Sequence, residues 1–381
     1  MNTPPKKKNQ HFVPQFYFRY FNDRKKYISS YLISKKRIID SCSIADQASK
    51  SYFYGDGAVE DEVCEAENVL KKHIDYAMEL GRVDKKVKRG IIQCIQYQHA
   101  RTEKKRNQTQ SVWQTLEAYV DISKKAKTID EAKSWKNENS LGDFDADEKR
   151  WQWHSMLLAL DTGWAMEDLA CTLLRNSSSL PFVFSDSPAV FMNPCMRNFP
   201  KHPTTGALSA GLIVVFPVSP DLCFMFYDSD TYKLKPTYGN NFYRKNSVLT
   251  ILEDDVATIN TLQFFNAASC IYSADKAALR RFDSLDRADN IGVFECAIDT
   301  VQDTETDYTL MFHGVLPEIA GLPDLPFFNF TKAVRHIPAR AKAFKTYKER
   351  NKKRWERLKD KNFRSKIKEA SVDEIIGLMR I

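Results

Sequence analysis

The chain has 381 residues, with 57 Lys and Arg against 49 Asp and Glu, a formal charge of +8. Its 43% hydrophobic and 12% aromatic content suffices for a large core and excludes global disorder, while 13 Gly and 15 Pro exclude collagen-like or low-complexity architecture. Apolar runs such as Gly211–Val218 are too short for a membrane span, and no apolar segment follows the start MNTPPKKKNQHF, so no secretory signal is expected.

In chain order, residues 1–10 read as a flexible basic lead. YISSYLIS and RIIDSCSI flank Lys35-Lys36 between Tyr27 and Ile44, the pattern of a β-hairpin. Residues 60–80, EDEVCEAENVLKKHIDYAMEL, begin acidic, continue basic and stop at Gly81, which predicts a helix. A second helix is expected from about Lys85 to Gln110, a polar excursion over 125–150, and a third helix over 151–175. LPFVFSD, LIVVFPVS and LCFMFYD predict a buried mixed or antiparallel sheet over 181–228, and residues 254–273 return to helix. The proline-spaced aromatics of 305–330 suggest an extended segment over the core, and a basic helix is expected from Arg340 to about Ala370. The fold class is therefore α+β: a helix-rich body over 11–330 (helical 60–175, sheet-rich 181–228, helix 254–273), followed by a basic helical tail over 331–381.

The charge is concentrated. Residues 331–370 carry 16 Lys and Arg against 4 Asp and Glu, a net of +12, which leaves the remainder at −4. Eight cysteines at 42, 64, 94, 171, 195, 223, 270 and 296 form no Cys-x-x-Cys pair, which argues against a zinc ribbon or disulfide framework and fits reduced thiols in a cytoplasm. Gly-x-Ser-x-Gly, Walker, Gly-x-Gly-x-x-Gly and His-Glu-x-x-His signatures are absent, which disfavours the enzyme classes they mark.

Polar residues on apolar helix faces are the informative feature. Glu67 shares a face with Val63, Leu70 and Ile74, and Glu60 lies one heptad earlier; Gln98 and Arg101 follow Val87, Ile91 and Cys94; Glu167 falls with Leu160, Trp164, Cys171 and Leu174. A buried carboxylate costs several kcal/mol, roughly, unless it is paired or binds a cation. One reading is a buried ion pair, Glu67 or Glu60 with Arg101, locking two antiparallel helices. The other is a set of inward carboxylates framing a polar pocket that holds a cation. His11 sits before a Val-Pro step that keeps Val13 extended, and serves either a site or ordinary capping. Asp186 ends a strand before Ser187-Pro188, a place for chemistry or for an Asx turn. Asn260 and Asn266 on the late helix read singly as cap or surface residues.

The ordered segments HFVPQFYFRYF, YGDGAVEDEVCEAE, QHART, FVFSDSPAV, FPVSPDLCF and INTLQFFNAASCIYS resemble the bacterial family known as domain of unknown function 4238, over about residues 9–275. The resemblance implies that His11, Glu60, Glu67, Arg101, Asp186 and Asn260 occupy the family's recurrent polar positions. Phe18 stands where the family usually has Leu, and Ser187 where Asn is common.

Two functional expectations result. In the first, the chain is a metal-dependent hydrolase of nucleic-acid phosphodiesters, a nuclease in bacterial defence or a toxin. His11, Glu67 and Asp186 are then catalytic, Arg101 and Asn260 bind substrate, and His11, Glu60, Glu67 and Asp186 hold Mg²⁺ or Mn²⁺. In the second, the polar cluster is a structural salt-bridge network. The chain then binds DNA, RNA or an acidic protein through Lys352, Lys353, Arg354, Trp355 and Arg357 of the basic C-terminal helix. An anionic membrane surface ranks third, because charge interrupts the aromatics on most faces of that helix.

Overall fold

The computed structural model describes residues 8–23, 25–55, 57–140, 144, 147–196, 204–235, 248–287, 295–302, 308–315, 323–326, 328–330, 339–360, 362, 366 and 374. The architecture is α+β. The chain enters through β1 (Asn9–His11) and turns at Pro14 into α1 (Gln15–Phe21), which buries Tyr17, Phe18 and Phe21. The predicted hairpin forms from β2 (Tyr27–Leu32) and β3 (Arg37–Ser43), with Lys36 left-handed at the turn. β4 (Ser49–Ser51) returns antiparallel to β1 and pairs Ser49 with His11.

Two helices then pack together, α2 (Gly57–Leu80) and α3 (Lys85–Ala100). Gly81, at φ +60, ends α2 in the left-handed conformation that a side chain disfavours. Val63, Leu70, Ile74 and Ala77 of α2 share one core with Val87, Ile91, Cys94 and Ile95 of α3. The helices approach so closely that a Cβ on Gly90 would stand 2.6 Å from the His73 ring. The helix expected from Lys85 to Gln110 is broken: α3 stops at Ala100, Thr102 caps a new helix by accepting from Lys105 N at 3.2 Å, and α4 runs Glu103–Lys125. Within the polar excursion a capping box of Thr128 and Glu131 starts α5 (Ile129–Glu138), and α6 (Glu148–Asp161) follows.

The helix expected over 151–175 also ends early. After α6 comes a 3₁₀ turn, Gly163–Met166, and then β5 (Ala170–Asn176). Residues 170–174 of β5 are all buried, and a continuous apolar run reads equally well as a helix face or a central strand. Glu167, placed by helical phase in the core, instead pairs with Arg89 at 3.4 Å near the surface. The sheet-rich segment contains β6 (Phe184–Ser185), β7 (Val190–Met192), β8 (Ile213–Pro217), β9 (Leu222–Tyr227) and β10 (Tyr232–Leu234). It is followed by β11 (Val248–Ile251), α7 (Glu253–Asn266), β12 (Cys270–Ser273) and α8 (Lys276–Arg280). The helix expected to reach residue 273 thus gives way to a strand after Asn266.

A five-stranded sheet has the order β11-β5-β9-β8-β7, antiparallel except for the parallel β11–β5 pair; a four-stranded sheet has the order β3-β2-β12-β6. The α1 aromatics wedge against both: Phe21 and Phe18 lie 4.5 and 5.0 Å, ring to ring, from Phe184, and Tyr17 lies 5.5 Å from Phe216. β13 (Glu295–Gln302) and β14 (Tyr308–Val315) form an antiparallel pair, and β15 (Phe328–Phe330) adds to β10. Most of the extended segment expected over 305–330 lies outside the residues with described side chains. The C-terminal helix is present as α9 (Ala341–Lys359). No described helix is long and apolar enough to cross a membrane.

Candidate functional site

Arg101 is the centre of the site. It follows the last turn of α3 with none of its side chain exposed. Its Nη2 donates to Glu67 Oε1 at 2.7 Å and to the His11 carbonyl, and its Nε donates to the Tyr54 hydroxyl at 3.0 Å. The guanidinium also lies 5.7 and 5.4 Å from the Tyr54 and Tyr97 ring centres. Of the two partners sequence allowed for Arg101, the structure selects Glu67. Glu60 is buried one heptad earlier on α2 and accepts from the Cys64 thiol.

The surrounding backbone is held by buried amides. Gln10 accepts from Tyr54 N at 2.6 Å and donates to the Gly55 carbonyl at 3.1 Å, which fixes the loop carrying Tyr54. Gln98, expected on the core face of α3, donates to the Phe12 carbonyl at 2.7 Å and ties the β1–α1 entry to that helix. The Tyr54 hydroxyl donates in turn to the His11 carbonyl at 3.1 Å.

Within this ordered frame three buried polar atoms bond to nothing among the described residues: Arg101 Nη1, the Tyr97 hydroxyl and His11 Nε2. Buried polar atoms in folded proteins are overwhelmingly bonded, so three around one guanidinium call for a ligand, water or reactive role. Burial holds the His11 imidazole below its usual range, with Arg101 acting in the same direction and Glu67 opposing it. The Ala45 and Ile44 carbonyls favour the protonated ring, and Nε2 itself bonds to nothing among the described residues. Burial raises the Tyr97 and Tyr54 phenols, so both stay protonated. The cluster reaches solvent at one edge, where Glu67 keeps 21% of its side chain exposed and His11 is half-buried.

Asp186 and Asn260 make their bonds elsewhere. The Asp186 carboxylate accepts from the backbone N–H of Ala268, Ser269 and Cys270 at 2.7, 2.7 and 3.0 Å, a loop clamp that uses both oxygens. The Asn260 amide accepts from Val183 N and donates to the Pro181 carbonyl, both at 2.9 Å. Gln263 repeats this three residues on, binding Ser185 and Pro188, and Asn266 again, binding the Ser187 and Ala189 carbonyls. Asn260, Gln263 and Asn266 therefore form an amide ladder along one face of α7 that stitches down residues 181–189. The i, i+3, i+6 spacing was visible in sequence, but its purpose depends on a strand 75 or more residues away.

The expected Mg²⁺ or Mn²⁺ set of His11, Glu60, Glu67 and Asp186 does not assemble. Among the described residues no three His, Cys, Asp or Glu side chains group to hold a metal ion. Glu67 is committed to Arg101, and Asp186 to three amides.

On the C-terminal helix, Lys352 and Arg357 are exposed, while the side chains of Lys353, Arg354 and Trp355 lie outside the described residues. The helix is anchored at its start by Arg340, which sequence reasoning passed over as one charge in a run. Arg340 donates from Nε to both Asp168 oxygens (3.2 and 3.0 Å), from Nη1 to the Ser209 carbonyl, and from Nη2 to Asp168 and to the Ala165 and Ala207 carbonyls. Tyr347 stacks on Trp164, so one of the helix's aromatics packs against the body.

No curated protein and no solved structure matches the chain significantly. A family match covers residues 9–277, which contains every residue of the Arg101 cluster and of the α7 ladder. The chain belongs to the family described as "Protein of unknown function (DUF4238)".

Proposed function

We propose that the chain hydrolyses phosphodiesters of nucleic acid at the Arg101 cluster, without routing the reaction through Mg²⁺ or Mn²⁺. The observation that carries this reading is the set of three unbonded buried atoms, Arg101 Nη1, Tyr97 hydroxyl and His11 Nε2, beside the Glu67–Arg101 pair. His11 is the general base: its depressed basicity keeps Nε2 unprotonated at neutral pH, ready to take a proton from water. Arg101 Nη1 neutralises charge developing on phosphate oxygens, as a guanidinium does well. Glu67 holds Arg101 in place, and α9 supplies a basic face for the polyanion, with Lys342, Lys345, Lys348, Lys352 and Arg357 exposed. The test is cleavage of labelled single- and double-stranded DNA and RNA by the full chain and by His11→Ala and Glu67→Gln. Cleavage lost in both folded variants supports the reading; cleavage unchanged in both, or absent from the wild type on every substrate, overturns it.

A second reading is favoured by the three bonds that Arg101 Nε and Nη2 already make to Glu67, Tyr54 and His11. Here the cluster only locks α2, α3 and β1 together, and the chain is a non-catalytic module that binds nucleic acid or an acidic protein through α9. Salt-dependent nucleic-acid binding without turnover, lost on removal of residues 340–381, would support it.

A further inference from the structure

Two side chains from separate segments meet at the end of α7, Lys104 in the first turn of α4 and Asn266 as the last residue of α7, and Asp186 in the turn after β6 is near enough to act on Lys104 electrostatically. All are buried, at 7%, 5% and 5% exposure. Lys104 Nζ stands 2.7 Å from Asn266 Oδ1 and 2.8 Å from the Asn266 carbonyl. The carboxamide is pinned from its other side, since Nδ2 donates to the Ser187 and Ala189 carbonyls. Asp186, next to Ser187 in sequence, is held rigid by its three amide bonds and faces Lys104 electrostatically.

The lysine neighbours differ from those of an ordinary ion pair. Burial is the largest influence on both ionisable groups, taking Lys104 down to about 7 against the pull of Asp186 and with the help of Arg287 and Lys105, and taking the Asp186 carboxyl up against its three backbone N–H bonds. An amine whose basicity is lowered toward neutrality and which is fixed against a carboxamide, with a carboxyl group nearby and little water, has the parts required for acyl transfer between side chains. Fixed proximity replaces the activation that the same reaction needs in solution.

We propose that Lys104 and Asn266 join in an intramolecular isopeptide bond, with Asp186 carrying the proton. The Nζ lone pair attacks Cγ of Asn266, and the Cγ–Nδ2 bond breaks. A proton leaves Nζ and, through the Asp186 carboxyl, reaches the departing nitrogen. The products are a secondary amide between the two side chains and one molecule of ammonia. No oxidant, metal or nucleotide enters the balance. The bond would tie the start of α4 to the end of α7, holding in place the ladder that α7 makes with residues 181–189.

The decisive experiment is intact-mass measurement of the folded, purified full-length chain, followed by proteolysis and peptide mapping. The expected mass is short of the sequence by one ammonia, and the map contains a branched peptide joining the Lys104 and Asn266 segments. Lys104→Arg, which keeps a long nitrogen donor at the end of α7 but offers no nucleophilic amine, is expected to carry its full mass. A wild-type chain of full mass overturns the proposal. So does an ammonia deficit that maps to another site or persists in Lys104→Arg. If Lys104→Arg fails to fold, the wild-type mass and peptide map decide by themselves.

Discussion

Among the described residues two arginines are almost completely removed from water, and they are treated differently. Arg340 gives all three guanidinium nitrogens to Asp168 and to the Ala165, Ala207 and Ser209 carbonyls. Arg101 is buried more deeply yet leaves Nη1 unbonded, next to Tyr97 and His11 atoms in the same condition. A satisfied buried cation is a fastener, because its desolvation is offset by bonds made within the fold. An unsatisfied one retains capacity for something else. The difference separates the anchor by which α9 docks from the cluster where chemistry is proposed.

The largest expected effect tests the fastener. Arg340→Ala leaves Asp168 with a charge in a half-dry site and strips several carbonyls of their donor, so it should cost about 3–5 kcal/mol, the range for breaking a buried pair. Urea unfolding followed by tryptophan fluorescence measures it, since Trp164 stacks against Tyr347 of α9. A loss below about 1 kcal/mol would place Arg340 among surface pairs and erase the contrast.

Arg101→Lys should behave differently. The lysine still meets Glu67 but cannot span Glu67, Tyr54 and the His11 carbonyl together, so a smaller loss of about 1–3 kcal/mol is expected. Activity should fall by about 10²-fold or more, because the guanidinium nitrogen that the proposed reaction sets against the phosphate is gone. His11→Ala sharpens this further: Nε2 bonds to nothing among the described residues and the ring otherwise meets the Ala45 and Ile44 carbonyls, so stability should move by about 1–2 kcal/mol, while turnover falls about 10²–10⁴-fold. Equal losses of stability and activity across these variants would favour the purely structural network.

Much of this was legible in sequence. Helical phase put Glu67 and Gln98 on inward faces, and both are there, because a 3.6-residue period is an intrinsic property of the chain. The same method failed at Glu167 and over residues 170–174, where a run buried on all sides carries no period to read. It also could not join Asp186 to residues 268–270 or give Asn260 its role, since each depends on partners about 80 residues distant. Tyr97 was the avoidable omission: it precedes Arg101 by four residues on α3, the spacing at which two helical side chains meet.

The His11 ring provides a smaller, pH-dependent test. Burial lowers its pKa from 6.5, so between the folded value and 6.5 the unfolded chain holds more protons than the folded one. Stability from this group is therefore complete above pH 6.5 and is lost as pH falls below it. His73 and His99 are lowered as well and act with the same sign, so His11→Gln should reduce the acid-side slope without abolishing it. Denaturant titrations of the wild type and His11→Gln from about pH 5 to 8, the range in which histidines exchange their protons, measure the difference between the two slopes. Protonated His11 also cannot accept a proton, so turnover should decline over the same acidic window, and a slope unchanged in His11→Gln would show that the ring is equally hydrated in both states.

The smallest expected effect concerns α9, and it separates gathering of substrate from chemistry. Lys352 and Arg357 are exposed and hold no place in the core, so Lys352→Ala and Arg357→Ala should leave stability within about 0.5 kcal/mol. If each meets a phosphate, the slope of log affinity against log salt becomes shallower by about 0.9 per side chain on duplex DNA. Binding should weaken across sequences alike, because phosphate contacts position a nucleic acid without reading it. Turnover of bound substrate should stay the same, since neither residue belongs to the Arg101 cluster. An unchanged salt slope would leave α9 as a helix held down by Arg340 and the Tyr347–Trp164 stack, and the polyanion would then have to be met by another face of the body.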